Sequence, residues 1–431
     1  MFDRVAAGEK SICVIGLGYV GLPIALEFAK KFNVVGFDIN PERVALMQQG
    51  IDPSKEIEAA EFAGRKIRFT ADAGEIQECG VYIVAVPTPI NDANEPDLTP
   101  LLGASRTVGN AISKGDYVIY ESTTYPGCTE EDCVPIIEEL SGLKAVADFK
   151  VGYSPERINP GDKARPLPKI LKIVSGCDEE SLRNISKLYG SIIEAGIHEA
   201  TTIKVAEAAK IIENTQRDVN ISLMNELSMI FNKMNINTFD VIEAAGTKWN
   251  FHKYTPGLVG GHCIGVDPYY LLHKAEMLGL HPRVIAAGRF TNDSMAAHIA
   301  QVAIKKLNAL GKVVKDSRIL IMGATFKENV ADIRNSKIVD IVNELKAFSV
   351  NVEVVDPHAS SEELMHEYGF SLTEGIKGPY DGIILAVSHE EYTHLESDWF
   401  ATHTKPDGFV LDLKGLYRHQ QGKMQRDYWC L

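Results

Sequence analysis

Over the first ~190 residues, short apolar runs alternate with stretches of helical periodicity, the pattern of a parallel sheet covered by helices. Strands are predicted at Ser11–Ile15, Asn33–Phe37, Val81–Val86, Tyr117–Glu121 and Phe149–Tyr153. The runs ICVIG and VYIVAVP are apolar on both faces, as strands buried between two layers must be. From about Glu199 the period lengthens. Val219, Leu223, Leu227, Ile230 and Met234 keep a 3–4 spacing, and no Gly or Pro interrupts Ala200–Asn235, so a long helix with one apolar stripe is predicted. A second helical region runs from Pro282 to about Leu310. Between them Lys248–Pro268, rich in Gly, Pro and aromatics, is expected to be mostly loop. Alternation returns after Lys315, with strands predicted at Arg318–Met322, Val350–Val355, Gly382–Val387 and Gly408–Leu413, a second α/β domain. The expected domain boundaries are 1–198, 199–310 and 311–431. The pattern leaves open whether the polar stretch His419–Leu431, with Tyr428 and Trp429 near its end, is a tail or a docking segment.

Composition narrows the class. A chain of 431 residues, 45% hydrophobic and 24% charged, is globular and not a disordered, collagen-like or disulfide-scaffold polymer. Lys+Arg 44 against Asp+Glu 58 leave a net charge of −14 without a locally basic run, so no nucleic-acid partner is expected. Phosphates can still be held by main-chain N–H groups and a few placed cations. The seven cysteines form no Cys-x-x-Cys pair and no zinc spacing, which points to free thiols in a reducing compartment and to no metal. Ser11–Leu26 is uncharged for sixteen residues, but Gly16, Gly18, Gly21 and Pro23 interrupt it, and it falls short of a membrane span. The expectation is a cytoplasmic protein without a membrane partner.

Chemistry first surfaces at Gly16-Leu17-Gly18-Tyr19-Val20-Gly21, which follows a predicted strand and opens a predicted helix, Leu22–Lys31. The first glycine permits the tight turn, the second lets the backbone approach a pyrophosphate, and the third permits close helix–sheet packing at a helix N-terminus. The next strand ends in Asp38, seventeen residues past Gly21, where a carboxylate accepts ribose hydroxyls. That charge repels a 2′-phosphate and favours NAD over NADP; Arg43 is placed to touch the adenosine side or a phosphate. Thr88 in VPTP and Thr123 in STTYPG stand at later strand ends facing the same crevice, where a plain proline-stiffened turn is the competing reading.

Cys263 sits in GGHCIGVDP, with glycines on either side and Asp267 four residues on. Most free cysteines are buried and inert, but so many glycines argue against a routine core position. Lys210 and Asn214 lie one turn apart on the predicted long helix, within the apolar run VAEAAKII and just beyond it; a solvated face is the alternative. A nicotinamide site together with a thiolate permits oxidation of a primary alcohol past the aldehyde. Cys263 would trap the aldehyde as a thiohemiacetal, a second hydride loss would give a thioester, and water would release a carboxylate. Lys210 and Asn214 would stabilise the oxyanions, and Asp267 or another carboxylate would assist the water.

GLGYVGLP, GFDIN, VPTP, STTYPG, YSPER, KIIENTQR, LVGGHCIGVDPYY and FKENVADIRNSK resemble, in order, the signature stretches of the nucleotide-sugar 6-dehydrogenases, over Ile12 to Lys414. The resemblance implies an α/β chain of two Rossmann-like doubly wound domains, the first binding NAD and the second UDP, joined by a helical region that forms a homodimer. It implies Cys263 as nucleophile, Lys210 and Asn214 as oxyanion and substrate contacts, and Asp267 as a handler of water and protons. Glu156, in YSPER, matches the carboxylate of thioester hydrolysis, and Thr123 its water-orienting neighbour near the nicotinamide. Lys327 and Arg334 match a cationic pair serving substrate and cofactor, and Tyr254 and Gly257 a loop that grips the nucleotide sugar.

UDP-glucose enzymes of this kind carry Gly-Gly-x-Cys-x-Pro-Lys-Asp; Ile264-Gly265-Val266-Asp267 lacks the Pro-Lys pair. His262 and VDPYY instead resemble the branch acting on UDP-N-acetylhexosamines in capsule and O-antigen pathways. The expected substrate is UDP-N-acetylglucosamine or UDP-N-acetylgalactosamine, with UDP-N-acetylmannosamine and UDP-glucose as alternatives and a non-catalytic sensor of NAD or nucleotide sugar as the rival class.

Overall fold

Ser11–Ile15, apolar from its second residue on and buried there, is β1, the strand from which the N-terminal sheet grows in both directions. The computed structural model describes residues 1–54, 56–91, 93–158, 165–261 and 263–431. They pack as two units, Met1–Glu213 with Tyr269–Leu280, and Asn214–Pro268 with His281–Leu431.

In the first unit β2 (Val34–Phe37), β3 (Ile67–Thr70), β4 (Cys79–Val84), β5 (Tyr117–Tyr120), β6 (Lys150–Tyr153), β7 (Lys172–Gly176) and β8 (Ile197–Glu199) join β1 in the order β3-β2-β1-β4-β5-β6-β7-β8. The first six strands of that row follow the doubly wound order of dinucleotide-binding sheets, and only the β6–β7 pair is antiparallel. Ile12, Val14, Ile24, Phe28, Ile83 and Ile119 make its core. The expected strand at Val81–Val86 ends two residues early, because VPTP leaves the sheet. Strands β3, β7 and β8 carry no apolar run to announce them: β3 exposes Arg68, β7 begins with Lys172, and β8 has three residues.

The second unit holds β9 (Arg318–Met322), β10 (Asn351–Val355), β11 (Tyr380–Leu385), β12 (Thr404–Asp412) and β13 (Asp427–Cys430), all parallel, in the order β10-β9-β11-β12-β13. This is the other common doubly wound order, 2-1-3-4-5. The C-terminal stretch is thus neither tail nor docking segment: it closes the sheet as an edge strand, with the Tyr428 hydroxyl on Asp412 at 2.8 Å.

Helices Ile203–Lys233 and Arg283–Ala309 match the two helical regions expected. The long helix is amphipathic in the inverse sense. Asp218, Ser222, Asn225 and Ser228 form its buried face, whereas Leu223, Ile230 and Met234 of the apolar stripe are 50%, 45% and 57% exposed. Arg289 donates to Asp218 at 2.5 Å, Asn292 to Asp218 at 2.7 Å, and Asn225 to Asn292 at 2.8 Å. Charge and amide pairing inside this layer stands beside apolar packing, which Met224 and Met295 supply.

Candidate active site

The glycine turn after β1 assigns each glycine a different task. Gly16 has φ +87°, and a Cβ there would stand 2.8 Å from the Ala85 oxygen; one on Gly21 would stand 1.8 Å from the Gly16 oxygen. Gly18 would meet nothing within 4 Å. Packing therefore dictates the first and third positions, while the second borders open space. Helix Gly21–Ala29 begins behind the turn, with Tyr19 and Val20 leading into it. Asp38, half-buried, accepts the Leu17 N–H at 3.0 Å on one oxygen and the Asn40 N–H at 3.0 Å on the other. Arg43 donates to the Leu17 oxygen at 3.1 Å. The two side chains clasp the turn while remaining at its rim.

Ser122 ties two further predicted positions together. Its hydroxyl donates to the Val86 oxygen at 2.8 Å, joining the segment that carries Thr88 to the one that carries Thr123, and its carbonyl accepts from Tyr153 at 3.3 Å. Both threonines are half-buried. Glu156, just past β6, is buried; one carboxylate oxygen accepts the Ile158 N–H, and the other has no hydrogen-bond partner among the described residues. Arg157 pairs with Glu213 at 2.8 Å. Lys210 is buried on the long helix, so the solvated-face reading fails. One turn before it, buried Glu207 accepts the N–H groups of Gly127 at 2.5 Å and Thr129 at 3.0 Å; burial lifts its carboxyl to about 7.

In the second unit Asn214 donates to Asp267 at 2.6 Å, both side chains being buried. The Asp267 N–H in turn bonds the Cys263 main-chain oxygen at 2.8 Å, so the cysteine turn is closed by the backbone of Asp267. Cys263 is half-buried, not sealed in a core. The glycines before it face the FKENVADIRNSK segment: a Cβ on Gly261 (φ +80°) would stand 2.8 Å from the Phe326 ring, and one on Gly260 2.5 Å from the Asn335 oxygen. The Gly261 N–H donates to that oxygen at 3.2 Å. The segment bearing Lys327 and Arg334 therefore lies directly against the cysteine turn. Arg334 is held by Asp332 at 2.7 Å, and Lys327 is half-buried. Tyr254 donates to Gln216 at 3.2 Å. Gly257 is buried, and Asn225 takes up both its main-chain groups, at 2.8 and 3.0 Å. His262 lies outside the described residues.

Comparison with known proteins decides the lineage. The UDP-glucose/GDP-mannose dehydrogenase family matches in three parts: its NAD binding domain over residues 10–193, its central domain over 204–294 and its UDP binding domain over 320–419. The chain belongs to this family. It is 53% identical, over 95% of its length and 97% of the relative's, to a UDP-N-acetyl-D-glucosamine 6-dehydrogenase of Pseudomonas aeruginosa. It is 49% identical, over 97% and 99%, to one of Salmonella typhi. A solved UDP-D-ManNAc dehydrogenase of Pyrococcus horikoshii superposes with a TM-score of 0.86 at 30% identity, covering 94% of this chain and 96% of that one.

In this dehydrogenase the NAD-binding part contains the glycine turn, Asp38, Thr88, Thr123 and Glu156, and the UDP-binding part contains Lys327 and Arg334. The open space at Gly18, the helix N-terminus behind it and the rim carboxylate fit a dinucleotide. When bound, NAD supplies the hydride acceptor. The first unit contributes a buried ammonium, Lys210, and a buried acid, Glu156, one oxygen of which has no hydrogen-bond partner among the described residues; the second contributes a half-buried thiol, Cys263, and the buried carboxylate of Asp267 bonded to Asn214. Sequence reasoning passed over Glu207, Asp218 and Asn225. Polar residues recurring every three to four positions through the long helix were their available signal, opposite the apolar stripe that drew attention.

Proposed function

We propose that this chain oxidises C6 of a UDP-N-acetylhexosamine, foremost UDP-N-acetylglucosamine, to the uronic acid in two successive NAD-dependent steps, for surface polysaccharide synthesis. Names and near full-length identity of the bacterial relatives support the substrate, as does the absence of the Pro-Lys pair after Cys263. The observation that carries the chemistry is the half-buried Cys263 in a turn closed onto Asp267, itself bonded to Asn214. The C6 alcohol first gives up a hydride and passes its hydroxyl proton to Asp267, and the Cys263 thiolate adds to the carbon of the aldehyde so formed. The thiohemiacetal so formed loses hydride and becomes a thioester. Water then adds to the thioester carbonyl, one proton passes to Glu156, with Thr123 orienting the water, and the C–S bond breaks to return the thiolate. Lys210 and Asn214 stabilise the oxyanion at each tetrahedral stage. Tyr254, Gly257 and Lys327 hold the nucleotide sugar, while Arg334 serves the cofactor.

The test is stoichiometry over a panel of UDP-sugars. Two NADH per sugar with UDP-N-acetylglucosamine is expected, and a Cys263→Ser variant should stall after the first oxidation. One NADH per sugar with unaltered turnover in that variant overturns the reading, and silence with every UDP-hexosamine favours the sensor. No helix among the described residues is long and apolar enough to cross a membrane, which agrees with a cytoplasmic site of action. The exposed stripe on the long helix, with Phe290 77% exposed on the next, supports a homodimer whose partner face is a second copy of the same chain. An Ile230→Glu variant should then halve the mass measured by light scattering.

A further inference from the structure

Behind Glu156 lies a charged cluster that the steps above do not use. Lys172, the first residue of β7, is 1% exposed. Its ammonium bonds Glu121 at 2.5 Å and donates to the main-chain oxygens of Pro155 at 3.0 Å and Ser154 at 3.5 Å. The other Glu121 oxygen accepts the Tyr189 hydroxyl at 2.5 Å, and the Tyr189 ring centre lies 5.4 Å from the ammonium. Glu121 directly follows β5, two residues before Thr123, and Ser154 and Pro155 directly precede Glu156. One ammonium therefore fastens the backbone that presents Glu156 to the strand end that presents Thr123.

A buried ion pair is a costly fastener, since a well-packed apolar pair holds a sheet as well without desolvating two charges. Its effect on a neighbouring charge is what an apolar pair lacks. The groups facing Glu121 are Lys172 from β7, Tyr189 from helix Glu179–Gly190 and Glu156 from the segment after β6. Burial pushes the Glu121 carboxyl up and prevails, leaving it at about 7, although the Lys172 ammonium pulls it down; the charge of Glu156 adds to the rise.

We infer that Lys172 and Glu121 are positioning residues for thioester hydrolysis: the ammonium fixes the Ser154–Pro155 backbone so that Glu156 is held in place, and the Glu121 carboxylate balances the ammonium's charge beside it. The inference rests on the reading of Glu156 as the acid that takes the proton from water.

The opposed charges make it testable. The readout is the rate of thioester loss in single turnovers against pH, alongside melting temperature and NAD affinity. Lys172→Met removes the positive charge behind Glu156 and should move the acid limb of that profile up by about one pH unit. Glu121→Gln leaves the ammonium unopposed and should move it down by about as much. The Lys172→Met/Glu121→Gln double variant should return the limb to its original pH with a hydrolysis rate still lowered about tenfold, because the Ser154–Pro155 anchor is gone. Tyr189→Phe, a near-isosteric change that keeps the fold if the charge variants do not, should move the limb in the direction of Glu121→Gln by less. Slower hydrolysis in all variants without opposed movements, or no movement in Tyr189→Phe where only that variant folds, overturns the inference. Unchanged hydrolysis in Glu156→Gln overturns the underlying reading of Glu156 instead.

Discussion

The two sheets begin with the same device and then part. After β1 the chain turns at Gly16, whose N–H bonds the Phe37 oxygen at 2.9 Å; after β9 it turns at Gly323, whose N–H bonds the Val355 oxygen at 2.8 Å. Both glycines have positive φ, +87° and +102°, and each is pressed against the end of the neighbouring strand's run, by Ala85 and Val387. Each second strand ends in an aspartate that accepts an N–H from the turn: Asp38 from Leu17 at 3.0 Å, Asp356 from Ala324 at 2.6 Å. Beyond that point the chemistry differs. The first turn enters a helix at once, at Gly21. The second runs through ATFKENVADIRNSK before helix Ile338–Ala347 begins. One turn thus leads its main-chain N–H groups straight into a helix terminus, and the other carries Lys327 and Arg334 in a longer segment. Asp38 stays at a rim; Asp356 is buried and consumed by His389 at 3.0 Å and the N–H groups of His358 at 2.7 Å and Ala359 at 2.8 Å. The same acid at the same topological place stays half-buried at the rim of its turn in one sheet and is enclosed by hydrogen bonds in the other.

Substituting the matched glycines breaks the comparison hardest. Gly21→Ala should cost about 3 kcal/mol or more, because its Cβ would meet the Gly16 oxygen, and NAD binding should fall with it. Gly323→Ala should cost about 2–4 kcal/mol through strain and the Val387 contact, yet leave the NAD dissociation constant of the folded protein unchanged. Urea unfolding and NAD titration of both would expose a shared effect that refutes the division of labour.

Asp356→Asn should cost about 2 kcal/mol at neutral pH. Burial raises this carboxyl, but the bonds from His389 and the three N–H groups prevail and hold it at about 2. Its stabilisation is therefore present above pH ~4, the unfolded value, and lost as the pH falls toward ~2. An Asn variant whose stability follows the parent's over that window would contradict the assignment. Asp38→Asn should instead weaken NAD binding with little effect on melting.

Lys327→Met should raise KM for the UDP-sugar about tenfold with KM for NAD unmoved; an equal change in both would show that the cation does not serve the sugar nucleotide alone. The smallest effect is expected at Gly18, where Ala should alter stability by less than ~0.5 kcal/mol while raising KM for NAD, since its Cβ meets no protein atom.

Much of this was legible in the chain. The limits of β1 and β9 fall where the apolar runs predict, and the tight packing at Gly16 and Gly21, with open space at Gly18, follows from one motif. The burial of Lys210 was foreshadowed by its apolar neighbours. What escaped was decided by partners far along the sequence. Nothing local marks Lys172 as a buried cation or Glu121 as its counterion, 51 residues away. Strand β13 alternates too briefly to be recognised before β12 gives it a partner. The long helix misled in a different way, because its apolar stripe suggests a core that the fold fills with Asp218, Asn225 and Arg289.

That inversion uncouples folding from association. The residues available for gripping another molecule are not those on which the second unit relies for its own interior, so Leu223, Ile230 and Met234 form a surface that can be rewritten with charges at little risk to the backbone beneath. A few charges placed there would therefore test any self-association through this face without disturbing the helix that carries it.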